Sequence, residues 1–297
     1  MRTAVIGAAG LLGRVLFDAL RKSDPSCVGT DWKGREGLPK LDLADSDISD
    51  LRLSETGHTW AVIAAVGSKR FDACEAQKAY TWERNVTGTV ELGRRLHQAG
   101  IKVAYISTDA VFGGARGDYA ENEVPDPINE YGRQKLAAEA GLLEVTSGRA
   151  LIVRIGQLFG ARKGDGTLPD AIAGQLASGK RVDAAHDQIF TPTAIDDVPC
   201  TLAKLQMGGA SGIFHLTGPE PWTRLAVVER LADGLGINRS QIRRISLDEV
   251  PGNFARPKNL SLTCGRLKSE MGLVLTPASR CLDLVIDNYR AKEREPR

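Results

Sequence analysis

Short apolar runs alternate with segments of helical spacing through the first two-thirds of the chain. Strands are predicted by the runs at 3–6, 26–30, 60–66, 102–106 and 151–155, and helices by the segments at 12–20, 87–98 and 131–143. Apolar runs without polar alternation are typical of strands buried on both faces of a parallel sheet. The pattern therefore predicts an α/β protein with a doubly wound parallel sheet.

The pattern loosens after about residue 156, where a stretch rich in glycine and charge (162–166) follows the last of these strands. Helices are predicted at 168–178, 223–235 and 279–289, and a further strand at 212–216. We expect one domain over residues 1–155 and a smaller lobe over 156–297. The polar residues 291–297 are expected to fray.

A glycine-rich loop, Gly7-Ala-Ala-Gly10-Leu-Leu-Gly13, lies between the first strand and the first helix. A dinucleotide pyrophosphate needs the free N–H groups of a helix N-terminus and no side chain in its way, which such glycines allow. The spacing differs from GxGxxG, so the flanking strand and helix carry the interpretation. The loop predicts dinucleotide binding.

Asp31 follows the second predicted strand, where a carboxylate can accept both hydroxyls of the adenosine ribose. This position favours NAD. Lys33 and Arg35 lie close by and could instead receive the 2′-phosphate of NADP, so NAD is only slightly preferred. A plain exposed Asp that starts a turn is the alternative.

Composition excludes several other classes of protein. The 297 residues include 39 Lys+Arg and 37 Asp+Glu, and a net charge of +2 gives no reason to expect nucleic acid or an anionic membrane as partner. The five cysteines are widely spaced without a CxxC pair, and the four histidines lack metal-ligand spacing, so we expect neither disulfides nor a metal site. No apolar run approaches a membrane span, and a strand follows Met1 almost at once, which leads us to expect a cytoplasmic protein.

A second candidate site combines Thr108, at the carboxyl end of the 102–106 run, with Tyr131 and Lys135 on one face of a predicted helix. A free phenol is a poor acid at neutral pH, but a nearby Lys cation and an oxidised nicotinamide are expected to lower the pKa of Tyr131 and let it shuttle a proton. Taken alone, a YxxxK pattern is more often a pair of surface neighbours. The three elements together are more specific.

Further motifs are Leu41-Asp-Leu43, Asn85-Val-Thr-Gly-Thr89, Ser107 to Gly114, Tyr131-Gly-Arg-Gln-Lys135 and Arg256-Pro257. In these motifs and the ones above, the chain resembles an extended short-chain dehydrogenase/reductase. It is most similar to the dTDP-4-dehydrorhamnose reductase group, nearly end to end. The resemblance implies a Rossmann-type sheet with a C-terminal substrate-binding lobe, and part of about 185–215 is expected to return to the sheet. A homodimer is one oligomeric state that the resemblance leaves open. It also implies reduction of a keto group on a nucleotide-activated 4-keto-6-deoxy sugar.

The resemblance assigns roles residue by residue. Tyr131 would donate the proton, Thr108 would bond the substrate oxygen, and Lys135 would hold the nicotinamide ribose. Substrate contacts would come from Thr108, Asp109, Ala110 and Arg256. Cofactor contacts would come from Gly7, Gly10, Leu11, Leu12, Gly13, Asp31, Asp42, Leu43, Ala64, Ala65, Tyr131 and Lys135.

Two departures leave alternatives open. Ala110 stands where the group usually has Tyr, and Ala64-Ala-Val-Gly67 stands where it usually has a run that begins with Asn. Because Ala110 also replaces the acid of related dehydratases, dehydration is disfavoured. A non-catalytic dinucleotide-binding protein, similar to the regulatory subunit of methionine adenosyltransferase, and a nucleotide-sugar epimerase stay as alternatives.

Overall fold

The computed structural model describes residues 1–65, 71–252 and 254–291. Its strands are, in chain order, β1 (Arg2–Ile6), β2 (Gly29–Thr30), β3 (His58–Ile63), β4 (Lys102–Thr108), β5 (Leu151–Ile155), β6 (Leu158–Phe159), β7 (Val182–Ala185), β8 (Ile189–Phe190), β9 (Thr193–Ala194), β10 (Gly212–Leu216), β11 (Trp222–Thr223), β12 (Ile242–Ile245) and β13 (Asn259–Leu260). Its α-helices are α1 (Leu11–Ser23), α2 (Phe71–Ala76), α3 (Lys78–Trp82), α4 (Thr89–Gln98), α5 (Glu130–Val145), α6 (Leu168–Ala177), α7 (Val198–Met207), α8 (Arg224–Leu235), α9 (Gly265–Met271) and α10 (Ala278–Ala291).

The central sheet has six strands in the order β10-β5-β4-β3-β1-β2. Every neighbouring pair in it is parallel. Strand β2 lies on one side of β1 and strand β3 lies on the other. The order of strands therefore reverses at β1, and the carboxyl end of β1 is the switch point of the sheet. Ligands of open α/β sheets bind at such a point. The predicted doubly wound parallel sheet is confirmed.

Helices cover both faces of this sheet. On one face, α1, α7 and α9 supply apolar side chains that pack against Val5, Val62 and Phe214. On the other face, α4 and α5 pack against Ile6, Ile63 and others. Burial on both sides explains why these strands are continuous apolar runs in the sequence.

The smaller lobe has its own apolar cluster, in which α6, α8 and α10 pack around β7 and β8. Strand β8 is the middle of a three-stranded sheet, antiparallel to β11 and parallel to β13. The run at 212–216 is β10 and pairs with β5 at the edge of the central sheet. Leu267 and Leu275 also pack on the central sheet, so the chain crosses between the two cores more than once.

The bounds of several elements differ from the predicted ones, and two of these differences have a visible local cause. Strand β2 is shorter than the predicted 26–30 because Asp24 accepts hydrogen bonds from the backbone of Ser26 and Cys27, which turns the chain before Gly29. Helix α4 is preceded by a π-helical stretch, Glu83–Gly88, whose last residue lies against the Leu43 carbonyl, 1.8 Å from where a Cβ on Gly88 would be. Of the polar tail at 291–297, residues 292–297 lie outside the described part of the chain.

Candidate active site

A cleft of about 1040 Å³ runs along the carboxyl edge of the central sheet and continues against the smaller lobe. Residues that follow four neighbouring strands line it, including Gly7 after β1, Asp31 after β2, Ala64 after β3 and Asp109 after β4. The smaller lobe contributes Gln188, Ile189, Phe190 and Arg224. Most of the residues selected from the sequence therefore meet in one cavity.

The glycine-rich loop approaches the N-terminus of α1 without side-chain obstruction. Gly7 has a φ of +92°, and a Cβ there would lie 2.9 Å from Ala65. Gly10 occupies the N-cap of α1 and has no side chain that could cap that helix. Together with Leu11 and Leu12, Gly7 and Gly10 line the cleft. The free N–H groups of this helix end fit a pyrophosphate.

Gly13 is buried and is absent from the cleft lining. Its contact with the cofactor stays a prediction, and the structure shows that it has a packing role. A Cβ on Gly13 would lie 2.0 Å from the Gly7 carbonyl oxygen. Gly13 therefore lets α1 pack against the loop, and the loop keeps its shape because of it.

Asp31 is bound by its own loop rather than exposed. Its carboxylate accepts hydrogen bonds from the backbone N–H groups of Lys33 and Arg35, at 3.0 and 3.1 Å. The Arg35 guanidinium adds two more, at 3.1 and 2.8 Å. These bonds, with Arg35 the largest contributor, hold the pKa of Asp31 far below its usual value. A charged carboxylate and a guanidinium thus stand side by side at this end of the cleft.

The neighbouring wall contains Asp42 and Leu43, as the resemblance implies, and two residues that the sequence reasoning missed. Arg84 lies 3.4 Å from Asp42 and stacks over the ring of Tyr80, with 3.9 Å to the centroid. Arg84 comes from the π-helical stretch, whose wide turn the sequence did not predict. Ala64 and Ala65 also line the cleft, whereas Val66 and Gly67 lie outside the described residues.

Thr108 and Asp109 lie at the end of β4, in the floor of the cleft. The Thr108 hydroxyl donates to Asp109 at 2.9 Å and accepts from the Ala110 N–H at 3.2 Å. Burial raises the pKa of Asp109 to about 7, although the hydrogen bond from Thr108 acts against it. Ala110 is 1% exposed and does not line the cleft, and its contact with substrate stays a prediction.

Tyr131 projects from the first turn of α5. Asn129 caps this helix by accepting from the Gly132 N–H at 2.9 Å. A Cβ on Gly132 would lie 2.2 Å from the Ala110 carbonyl, so glycine brings α5 against the turn after β4. That approach sets Tyr131 beside Thr108. The Tyr131 ring packs on Phe71, with centroids 5.3 Å apart.

The pKa of Tyr131 is raised above its ordinary value, mainly by burial and further by Asp109 and Cys74. Lys135 is not among the groups that shift this pKa. The lowering of the pKa by Lys135 together with an oxidised nicotinamide stays a prediction. The Tyr131 hydroxyl is protonated at neutral pH, which is the form from which a proton donor starts.

Lys135 is 1% exposed, and its Nζ donates to the Ile106 carbonyl at 2.7 Å. Burial lowers the pKa of Lys135 to about 7, and Glu139, one turn further along α5, acts in the opposite direction. Glu139 is also held by the fully buried Arg154, at 2.7 Å, and by the Ser107 hydroxyl. A buried ionic network thus lies directly beneath Lys135, and no short motif indicated it.

Arg256 lines the cleft, but its guanidinium donates to the carbonyls of Val250 and Pro251, at 3.0 and 2.6 Å. It also stacks on Phe254, which in turn contacts Phe71, the ring neighbour of Tyr131. This aromatic series connects the loop of Arg256 to the candidate catalytic residue.

Two polar residues outside the cleft, Asp197 and His215, have structural roles. The carboxylate of Asp197 accepts from the backbone and hydroxyl of Thr276, at 2.6 and 3.1 Å, and caps no helix with its side chain. Burial lowers the pKa of the core residue His215 to about 4.

Across residues 1–65, 71–252 and 254–291, no group of three or more His, Cys, Asp or Glu is arranged to hold a metal ion. None of the helices in these ranges has the length and apolarity that a bilayer crossing requires.

This sheet, with a glycine-rich loop at its switch point and a cleft shared with a smaller lobe, defines an α/β protein of the Rossmann type. Residues 1–291 match the model of the RmlD substrate binding domain, and the chain belongs to that family. The resemblance to the dTDP-4-dehydrorhamnose reductase group is thereby confirmed.

Two curated relatives are each 30% identical to the chain. One is methionine adenosyltransferase 2 subunit beta of Rattus norvegicus, aligned over 90% of this chain and 82% of the relative. The other is the probable low-salt glycan biosynthesis reductase Agl14 of Haloferax volcanii, aligned over 92% and 93%. The fold is also that of dTDP-4-dehydrorhamnose reductase from Bacillus anthracis in complex with NADP, with a TM-score of 0.84, 24% identity, and coverage of 95% of this chain and 97% of that one.

Proposed function

We propose that this protein is an NAD(P)H-dependent reductase that converts a keto group of a nucleotide-activated sugar, C4 of a 6-deoxy-4-keto hexose, into an alcohol. The observation that carries the proposal is the meeting of Thr108, Tyr131 and Lys135 in the cleft that the glycine-rich loop borders. Family membership and the Agl14 reductase support it.

The residues present fit a dinucleotide. Gly7 and Gly10 leave open the approach to the uncapped N-terminus of α1, which would hold the pyrophosphate. Lys135 would hold the nicotinamide ribose, and Asp42 and Leu43 would border the adenine. The reduced cofactor, when bound, supplies a hydride.

The protein's own part is positioning and proton donation. Thr108 would hold the substrate oxygen, and Tyr131 would protonate it as the carbonyl becomes an alcohol. Tyr131 is protonated at neutral pH, so it has the proton to give. Asp109 would lie beside the substrate, within hydrogen-bond distance of Thr108.

For the cofactor we propose that both dinucleotides are accepted and NAD is slightly preferred. Asp31 stays charged because of Arg35, so it can accept ribose hydroxyls and repels a 2′-phosphate. Arg35 lines the cleft beside it and offsets that repulsion.

We further propose a two-part organisation, with a dinucleotide-binding domain at 1–155 and a mainly substrate-binding lobe at 156–297 from which part of about 185–215 returns to the sheet. Strand β10 and helix α7 on the central sheet support that return. A cytoplasmic location and a homodimer are the expected setting. Fractionation of cells and light scattering of the purified protein test these two points.

The testing experiment follows oxidation of NADH and NADPH with a panel of nucleotide-linked 4-keto-6-deoxyhexoses. Tyr131→Phe keeps the ring that packs on Phe71 and removes only the hydroxyl. We expect turnover to fall by about 10²- to 10⁴-fold while dinucleotide binding stays nearly intact. Loss of both together would contradict the assignment of Tyr131.

A second candidate is a non-catalytic dinucleotide-binding protein, which the 30% identity to methionine adenosyltransferase 2 subunit beta favours. Tight dinucleotide binding without consumption across the whole panel would support this candidate against the reductase. Interconversion of sugars with no net use of reduced cofactor would instead support an epimerase.

A further inference from the structure

Arg224 lies where the topology of the small three-stranded sheet brings several polar groups together. Thr223 of β11 pairs with Ile189 of β8, so Arg224 lies beyond the start of β8, and its N–H donates to the Gln188 carbonyl at 2.9 Å. Because β13 runs parallel to β8, the residues that precede Asn259 lie at this same end. Arg224, Gln188 and Arg256 all line the cleft.

The Arg224 guanidinium has no hydrogen-bond or ion-pair partner among residues 1–65, 71–252 and 254–291. The carboxylates that line the cleft, by contrast, are engaged with other groups. Asp31 pairs with Arg35, Asp42 with Arg84, Asp183 with Arg243, while Asp109 accepts from Thr108 and Glu249 from the Ser246 N–H.

This cation is also in an unfavourable place. Arg224 is the first residue of α8, where the partial positive charge of the helix N-terminus disfavours a cation. It is partly buried, and desolvation lowers its pKa. Neither its burial nor its position stabilises the fold, and a bound anion would relieve both costs.

Arg256, which the sequence suggested for a diphosphate, is already engaged by two carbonyls of its own loop. Its two terminal nitrogens would have to leave Val250 and Pro251 to grip a ligand. Arg224 needs no such exchange.

We propose that Arg224 is the principal anion-binding residue for the substrate's diphosphate, with Gln188 and Arg256 beside it. This inference rests on the proposed function and gives it a specific residue. The ligand class is a nucleoside diphosphate, and its two phosphates present the paired oxygens that a guanidinium binds in a bidentate manner.

Direct binding tests the inference without turnover. The affinity of the wild-type protein for dTDP, UDP and inorganic pyrophosphate is measured by calorimetry and compared with Arg224→Gln and Arg224→Lys. We expect dTDP or UDP to bind, Arg224→Gln to weaken that binding by about 10- to 100-fold, and Arg224→Lys to restore part of it because charge is kept without the bidentate fork.

The matched control is Arg230→Gln, on the same helix but outside the cleft lining, where the side chain pairs with Asp283. It should leave nucleoside diphosphate affinity unchanged. NADPH affinity should be unchanged in every variant, which also shows that each is folded.

Equal nucleoside diphosphate affinity in the wild type and Arg224→Gln would overturn the inference, as would absence of binding in the wild type. Failure of the reductase proposal has a different signature. If Arg224→Gln turns over keto-sugar with an unchanged KM, the subsite is wrong and the reductase stands. If dTDP or UDP binds through Arg224 but no reduced cofactor is consumed across the panel, the subsite stands and the reductase is wrong.

Discussion

Alanine substitutions at two glycines of the same loop are expected to affect different properties, the stability of the fold at Gly13 and dinucleotide binding at Gly10. Gly13 is buried, and its added methyl would lie 2.0 Å from the Gly7 oxygen, whereas real Cβ atoms do not approach within 3.0 Å. Backbone must therefore move by about 1 Å or more, at a cost of about 1–3 kcal/mol. That cost exceeds the gain of about 1 kcal/mol that alanine brings to a helix interior.

Gly10 faces the cleft, and its added methyl would meet only the Gly7 oxygen, at 3.3 Å. Its φ of −74° suits any residue, so the loss of stability should stay within about 1 kcal/mol. The methyl would instead stand over the helix end where a pyrophosphate would bind. We expect Gly10→Ala to weaken dinucleotide binding by about tenfold or more.

The assay combines thermal unfolding with dinucleotide titration. The net loss is at most about 2 kcal/mol, so Gly13→Ala should lower Tm by up to about 8 °C, and Gly10→Ala by clearly less. The reasoning would be refuted if Gly13→Ala kept the wild-type Tm, or if Gly10→Ala lost more stability than Gly13→Ala while binding the dinucleotide normally.

Three further substitutions test two ionic contacts. Arg35→Gln should shift cofactor preference toward NADH, and Asp31→Asn should shift it toward NADPH, each by about tenfold in kcat/KM. The reason is that the cation attracts a 2′-phosphate and the carboxylate repels it. Shifts of the same sign in both variants would contradict this reasoning. Glu139→Gln leaves the buried Arg154 without its counterion and should cost about 3–5 kcal/mol of unfolding free energy, measured by urea denaturation. The exposed Glu144→Gln on the same helix is the control and should change little.

Local patterns were enough to predict the elements that build the central sheet. The strand at 212–216 was predicted at its observed bounds, and helix α8 was predicted one residue too early at Thr223, its N-cap. These segments have clear periodicity and capping residues, so short-range physics determines them. The π-helical stretch before α4 has no such signal, because tertiary packing of Gly88 against Leu43 widens that turn.

Residues of the candidate site were predicted where a motif places them at a strand end or on one helix face. Tyr131 and Lys135 are of this kind, and both line the cleft. Arg224 was missed because nothing near it in the sequence shows that it lacks a counterion. That property depends on which carboxylates the fold brings close, and pairings such as Asp42 with Arg84 and Asp183 with Arg243 join residues that are remote in the chain.

Some residues of this chain are required by the fold, and others are required only by a function. Gly13 and Gly132 are needed by any protein with these packing distances, so their presence says little about catalysis. The Tyr131 ring packs on Phe71, and the Arg224 guanidinium has no hydrogen-bond or ion-pair partner in the described part of the chain. A protein that merely bound a dinucleotide could use Tyr131 at the nicotinamide ribose, but it would have no use for an unpaired cation where the smaller lobe lines the cleft. Arg224 therefore favours a second, anionic ligand beside the dinucleotide over a purely regulatory role.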